Sequence, residues 1–158
     1  NHGSNMSINV IYSGTMSAAV EGAIESIPSI GFSLCDDSID ADFTASKKIV
    51  EFISRKVLQN GLPKDVCLNV NIPKSKYEEL KGIRVCRQAR ANWIEELDER
   101  KDPGGKTYFW LTGKFENFDA GKEDTDVWAL ENNYVSVVPV QFDMTAHTAI
   151  PELNTWKL

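Results

Sequence analysis

The chain has 158 residues, 42% of them hydrophobic and 25% charged, and a formal net charge of −6. That length lets one domain bury roughly 70% of its unfolded surface, and the acidic balance excludes a nonspecific binder of nucleic-acid polymers, which needs clustered Lys and Arg. No apolar run approaches the roughly 20 residues that span a bilayer, so no membrane partner is expected.

The opening stretch, Asn1-His2-Gly3-Ser4-Asn5, reads as a polar, glycine-bearing loop. After Ile8 to Tyr12, the residues Ser13, Gly14 and Thr15 stand where a helix begins, and Ala18, Ala19, Gly22 and Ala23 are small enough to lay that helix close against a sheet. Two readings of the helix start stay open. Ser13 and Thr15 cap it, their oxygens satisfying orphan backbone N–H groups, or the exposed N–H groups and Gly14 form an anion site. The chain has two histidines. His147 sits among Thr145, Ala146 and Thr148 near a tail and reads as surface, whereas His2 abuts Asn1 and is a candidate contact to a phosphate or to a group near a metal.

Pro28 breaks the first helix, and Ser29 to Leu34 reads as a short buried strand. The acidic loop Cys35 to Asp42 mimics a calcium loop, but Ala41 and Lys47 stand where that loop needs Gly and Glu. Asp42 is the expected N-cap of a helix over about 43–59, whose buried stripe is Phe43, Val50, Ile53 and Val57. Gly61 and Pro63 end it. Val66 to Ile72 is the next strand, stopped by Pro73, and its Asn69 and Asn71 point to one side. They either brace loops or contact a ligand, since asparagine in a strand needs local partners.

Helices and strands alternate up to this point, as in an α/β unit with a parallel sheet. From Tyr77 the character changes. Ile83 to Arg87, Ala91 to Ile94, Thr107 to Leu111 and Tyr134 to Phe142 read as extended segments, with a turn at Asp102-Pro103-Gly104-Gly105, and suggest an antiparallel arm. Gly105-Lys106-Thr107 lacks the upstream glycine of a P-loop, where Arg100 stands. Trp93, Tyr108, Phe109 and Trp110 give the arm an aromatic face suited to a subunit interface. The polar run 114–126 ends in Asp124-Thr125-Asp126, of which Thr125 or Asp126 caps a short helix. Cys35, Cys67 and Cys86 lack C-x-x-C spacing and predict reduced, buried thiols in a cytoplasmic protein.

Several of these runs occur together in a known family. Asn1-His2-Gly3-Ser4-Asn5, Ile11-Tyr12-Ser13-Gly14-Thr15, Ser29 to Leu34, Leu68-Asn69-Val70-Asn71-Ile72-Pro73, Asp124-Thr125-Asp126, Tyr134 to Pro139 and Asp143-Met144-Thr145 stand in the order found in SurE-type survival proteins, and the chain resembles them over nearly its whole length. Those are metal-dependent phosphatases of nucleoside monophosphates. The resemblance implies the back half of a Rossmann-like three-layer α/β body with a parallel sheet, plus an antiparallel β-hairpin arm. Residues 1–76 would be the C-terminal half of the nucleotidase core, and 77–158 a β-rich extension, hairpin arm and return strand of the same structural domain. The family's opening strand, paired aspartates and metal-binding serine would lie upstream of Asn1, and Asp36-Asp37 are not that pair.

By the same resemblance, Asn1 is a ligand of a divalent metal, Mg²⁺ or Mn²⁺, whose preference is for oxygen donors. Ser13, Gly14, Thr15 and His2 would bind the substrate phosphate, and Asp124, Thr125 and Asp126 would form the rim of the active site. No catalytic residue is assigned within the chain. The partners implied are a nucleoside monophosphate and further copies of the chain, as a homodimer or homotetramer through the arm. The alternatives are a noncatalytic assembly module, or a phosphatase of polyphosphate or 3′-nucleotides.

Overall fold

A computed structural model describes residues 3–156. A short 3-10 helix, Ser7–Tyr12, leads into α1 (Gly14–Ile24), β1 (Ile30–Cys35), α2 (Thr44–Asn60) and β2 (Val66–Pro73). The chain continues through β3 (Ile83–Val85), the paired strands β4 (Ala91–Lys101) and β5 (Thr107–Asn117), α3 (Asp126–Glu131), β6 (Val135–Gln141) and α4 (Ile150–Asn154).

The main sheet has four strands in the order β1-β2-β6-β3. β1 and β2 pair in parallel, with Phe32 opposite Val70, and β3 pairs in parallel with β6. β6 runs antiparallel to β2, with Asn69 opposite Val138, so the body is a mixed α/β sheet containing the expected parallel pairs. The arm is narrower than its extended segments suggested. Only β4 and β5 form it, from Ala91 opposite Asn117 to Lys101 opposite Thr107. Ile83 to Val85 and Val135 to Gln141 belong to the body instead. The physical reason lies in Val135 to Val138, all buried. A continuous buried run suits a strand covered on both faces, not a projecting ribbon. Pro139 is accommodated because the pairing of β3 with β6 ends at Val137.

The two faces of the sheet are packed differently. Against one lies α2, whose Ile49, Ile53 and Val57 meet Leu34, Val70, Ile72, Val135 and Val137. Fully burying each such side chain contributes about 1.5–3 kcal/mol. The stripe runs through Ile49, while Val50, expected to be on it, is only half-buried. Gly61, at φ 71°, ends α2, and Asp42 accepts from the Thr44 N–H at 2.8 Å, one residue before the cap position.

Against the other face lies α1, through Met16, Ala19, Ala23 and the strand residue Cys67. The approach is close because Gly22 on α1 and Gly31 on β1 put no side chain in the way. A Cβ on Gly31 would strike the Met16 sulfur, and one on Gly22 the Ser29 hydroxyl. Gly22→Val is therefore expected to cost about 1–3 kcal/mol by overpacking, read as a lower urea midpoint. An unchanged midpoint would show that α1 does not sit on Ser29.

Candidate active site

The loop leading away from Asn1 is held across this second face by amides from β2. The Asn5 backbone N–H donates to Asn71 Oδ1 at 2.7 Å, and the Asn5 carbonyl accepts from Asn69 Nδ2 at 2.7 Å. Asn71 Nδ2 donates to Asn69 Oδ1 at 2.9 Å, and Asn5 Nδ2 to Ser33 Oγ. All four side chains are buried. Asn69 and Asn71 thus brace a loop, the first of the two roles open to them. They do so because strand alternation sets both amides on the α1 side, where residue 5 crosses.

The next residue to be fixed is Ser7, at φ 56°. Its N–H donates to Asp126 Oδ2 at 2.7 Å. Asp126 Oδ1 accepts from the N–H groups of Ala89 and Val127, at 2.9 and 2.8 Å. Burial pushes the Asp126 carboxyl above the ordinary aspartate range, while the N–H groups of Ser7, Ala89 and Val127 pull it back. The expected rim triplet therefore divides by task. Asp126, fully buried, ties the N-terminal loop to the body, and Thr125 caps α3 by accepting from the Trp128 N–H at 3.2 Å. Asp124 takes Arg87 in a fork, Nε to Oδ2 at 2.8 Å and Nη2 to Oδ1 at 3.1 Å. Arg87 Nη1 also donates to Asp119 Oδ2 at 2.7 Å. These hydrogen bonds hold Asp124 below its usual range, and Asp119, bonded first to Lys122 and then to Arg87, well below it.

At the start of α1, Ser13 is the N-cap and its Oγ accepts from the Met16 N–H at 3.0 Å. Gly14 is exposed, with nothing within 4 Å of where a Cβ would stand, and Thr15 is half-buried with its methyl toward Gly31. The three residues are brought together at one open helix end, on the sheet face that carries the Asn5 loop. Asn1 and His2 lie outside the described residues. His147 is exposed and pairs with Asp143 Oδ2 at 2.8 Å.

Cys67 and Cys86 are buried and Cys35 half-buried, and all three are free. Burial pushes the Cys35 thiol up to about 12 and raises the other two, so none is a ready thiolate. Among the described residues no three of His, Cys, Asp and Glu are placed to hold a metal ion. The described donors therefore do not make a divalent-metal site by themselves. Asn5, Ser33, Ser7 and Arg87 were not singled out as site residues from sequence. Asn5 and Ser33 stand within runs that carry the family resemblance, and Ser7 and Arg87 are polar residues flanking apolar runs.

A mixed sheet with parallel pairs, covered by a helix on each face and crossed by a polar loop beside a helix N-terminus, defines a protein of the α/β class. The chain belongs to the survival protein SurE family, whose family model matches residues 1–95. It is 65% identical to the 5′-nucleotidase SurE of Flavobacterium psychrophilum over 158 residues, which is 100% of this chain and 61% of that protein. Identity is also 65% to the 5′-nucleotidase SurE of Christiangramia forsetii, covering 100% of this chain and 60% of that protein. The crystal structure of the SurE protein from Aquifex aeolicus superposes with a TM-score of 0.85 at 39% identity, covering 100% of this chain and 63% of that one. The chain thus spans about three-fifths of the length of the curated relatives it matches.

Proposed function

We propose that the full-length protein is a divalent-metal-dependent phosphatase that hydrolyses nucleoside monophosphates to nucleoside and phosphate. The observation that carries this reading is the 65% identity, across the whole chain, to proteins named 5′-nucleotidase SurE. The geometry supports it at two points. The loop from Asn1 is clamped by Asn69, Asn71 and Asp126, which suits a segment that must hold a ligand in place. The α1 start leaves Gly14 open, so backbone N–H groups can meet phosphoryl oxygens there, with the Thr15 hydroxyl beside them.

Asn1 supplies one neutral oxygen ligand. A bound Mg²⁺ or Mn²⁺ would neutralise phosphoryl oxygens. His2 contacts the phosphate, and Asp126 acts on the site by fixing the loop, with Asp124 and Thr125 at its edge. Exposed Trp93, Phe109 and Trp110 on the arm are covered by further copies of the chain in a homodimer or homotetramer. The free cysteines fit a cytoplasmic setting, and among the described residues no helix is long and apolar enough to cross a membrane.

The test uses the full-length protein with Mg²⁺ or Mn²⁺ and a nucleoside monophosphate. Asn1→Ala is expected to lower metal affinity, measured by calorimetry, and turnover by at least about 10–100-fold. Unchanged metal affinity in that variant removes Asn1 from the ligand set, and a wild-type protein without metal-dependent turnover overturns the function itself.

A further inference from the structure

Arg87 stands in the connection between β3 and β4, and none of the roles above uses it. Its backbone runs parallel to the segment that opens α3. The Arg87 N–H donates to the Asp124 carbonyl at 2.9 Å and the Arg87 carbonyl accepts from the Asp126 N–H at 3.0 Å, on either side of Thr125. The guanidinium reaches three carboxylate oxygens. Nε and Nη2 take both oxygens of Asp124, and Nη1 donates to Asp119 Oδ2. Asp119 is buried two residues past β5, where its Oδ2 also accepts from the Arg90 N–H at 2.9 Å and its Oδ1 from Lys122 Nζ at 2.7 Å. One side chain therefore ties together the β3–β4 connection, the foot of the arm and the start of α3.

We infer that Arg87 is a positioning residue for the reaction: by joining Asp119 to Asp124 it sets Asp126 and Ala89 so that Ser7, and with it the loop leading to Asn1, is held in place. The inference rests on the phosphatase reading and deepens it. The tied stretches are the ones that hold the loop. Ala89, two residues past Arg87, donates its N–H to Asp126 Oδ1, and Asp126, two residues past Asp124, takes the Ser7 N–H on its other oxygen. They meet a second time in an apolar cluster, where Met6 of the loop and Phe115 of the arm pack against buried Ala89, Ala91 and Val127. Arginine suits the task because its planar fork fixes several donors at once, which the point charge of lysine does not. Exposure says where the effect falls. The Arg87 side chain is 42% exposed and that of Asp124 66%, and ion pairs so open to water add little to the stability of a whole fold. Their effect is the relative placement of two connections that lie outside the sheet.

The experiment uses the full-length wild type, Arg87→Gln, Arg87→Lys and, as a control, Arg55→Gln, which removes an arginine paired with Glu51 on α2. Amide hydrogen exchange is followed at Ser7 and Ala89, whose N–H groups meet Asp126, and at Met16, whose N–H meets Ser13 Oγ. Exchange at Ser7 and Ala89 is expected to quicken by about tenfold or more in Arg87→Gln, with Met16 unchanged. Arg87→Lys, which keeps the charge without the fork, should restore protection only in part, and Arg55→Gln should match the wild type. On adenosine 5′-monophosphate with Mn²⁺, kcat/KM should fall by about tenfold or more in folded Arg87→Gln, since misplacing a site group by about 1 Å costs on the order of 10²-fold. Unchanged exchange at Ser7 and Ala89, or quickened exchange with kcat/KM as in the wild type, overturns the inference. Should Arg87→Gln fail to fold, Arg87→Lys decides by the same two readouts. A wild type that hydrolyses no nucleoside monophosphate sinks the phosphatase reading, and exchange at Ser7 then decides by itself whether Arg87 holds the loop.

Discussion

Asn71→Leu is expected to lower stability by about 2–6 kcal/mol, the sum of two buried polar groups left without partners at about 1–3 kcal/mol each. The two groups are the Asn5 backbone N–H and Asn69 Oδ1, both bonded to Asn71 and both in buried residues. Leucine has the branching of the amide but a larger volume, so overpacking at this fully buried position adds to the loss. The urea midpoint measures it, and a loss within about 0.5 kcal/mol, as for an ordinary surface substitution, would mean that Asn5 is not held by β2. In the full-length protein the same variant should weaken metal binding, because the loop ending in Asn1 is freed, although residue 71 itself need not touch the metal.

Thr15→Val in the full-length protein should reduce turnover by about 10²–10³-fold, the usual effect of removing one donor to transition-state charge. Valine keeps the methyl that faces Gly31, so the unfolding midpoint should stay near that of the wild type. Ser13→Ala should behave in the opposite way. Its hydroxyl oxygen already accepts from the Met16 N–H, and losing a cap costs about 1 kcal/mol of stability with turnover largely kept. The pair is informative because the two hydroxyls are neighbours with different surroundings. Equal turnover in Thr15→Val and wild type would return the helix start to a purely capping role.

The local elements were legible in the sequence and their long-range partners were not. Ile53 and Val57 mark the buried stripe of α2 by spacing alone, yet periodicity placed that stripe one residue off, at Val50, because it cannot tell which side of a neighbouring residue the sheet covers. The alternation of Asn69 and Asn71 with apolar residues was enough to infer that both amides seek partners. That the partner is Asn5 depends on a crossing more than sixty residues distant in the chain, which no local pattern encodes. Asp126 is expected from sequence to cap a short helix or to stand at the active-site rim, and its burial is hidden for the same reason: its N–H donors come from Ser7, Ala89 and its own neighbour Val127, two of them far away in sequence. Strand propensity found the residues of β6 but not their sheet, since Val and Tyr favour extended backbone in an arm and in a core alike.

The position of β6 also governs how the molecule can assemble in time. It lies between β2 and β3, yet among the described strands it comes last in the chain, beginning at Val135 after β2 has ended at Pro73. Until it emerges, β2 has a bare edge and β3 has no sheet to join, so the nascent chain carries an unfinished pairing surface for as long as the residues between Pro73 and Val135 take to be made. Contacts that wait for such late arrivals are slow to form, and chains halted between β3 and β6 should be the ones that aggregate or call on chaperones.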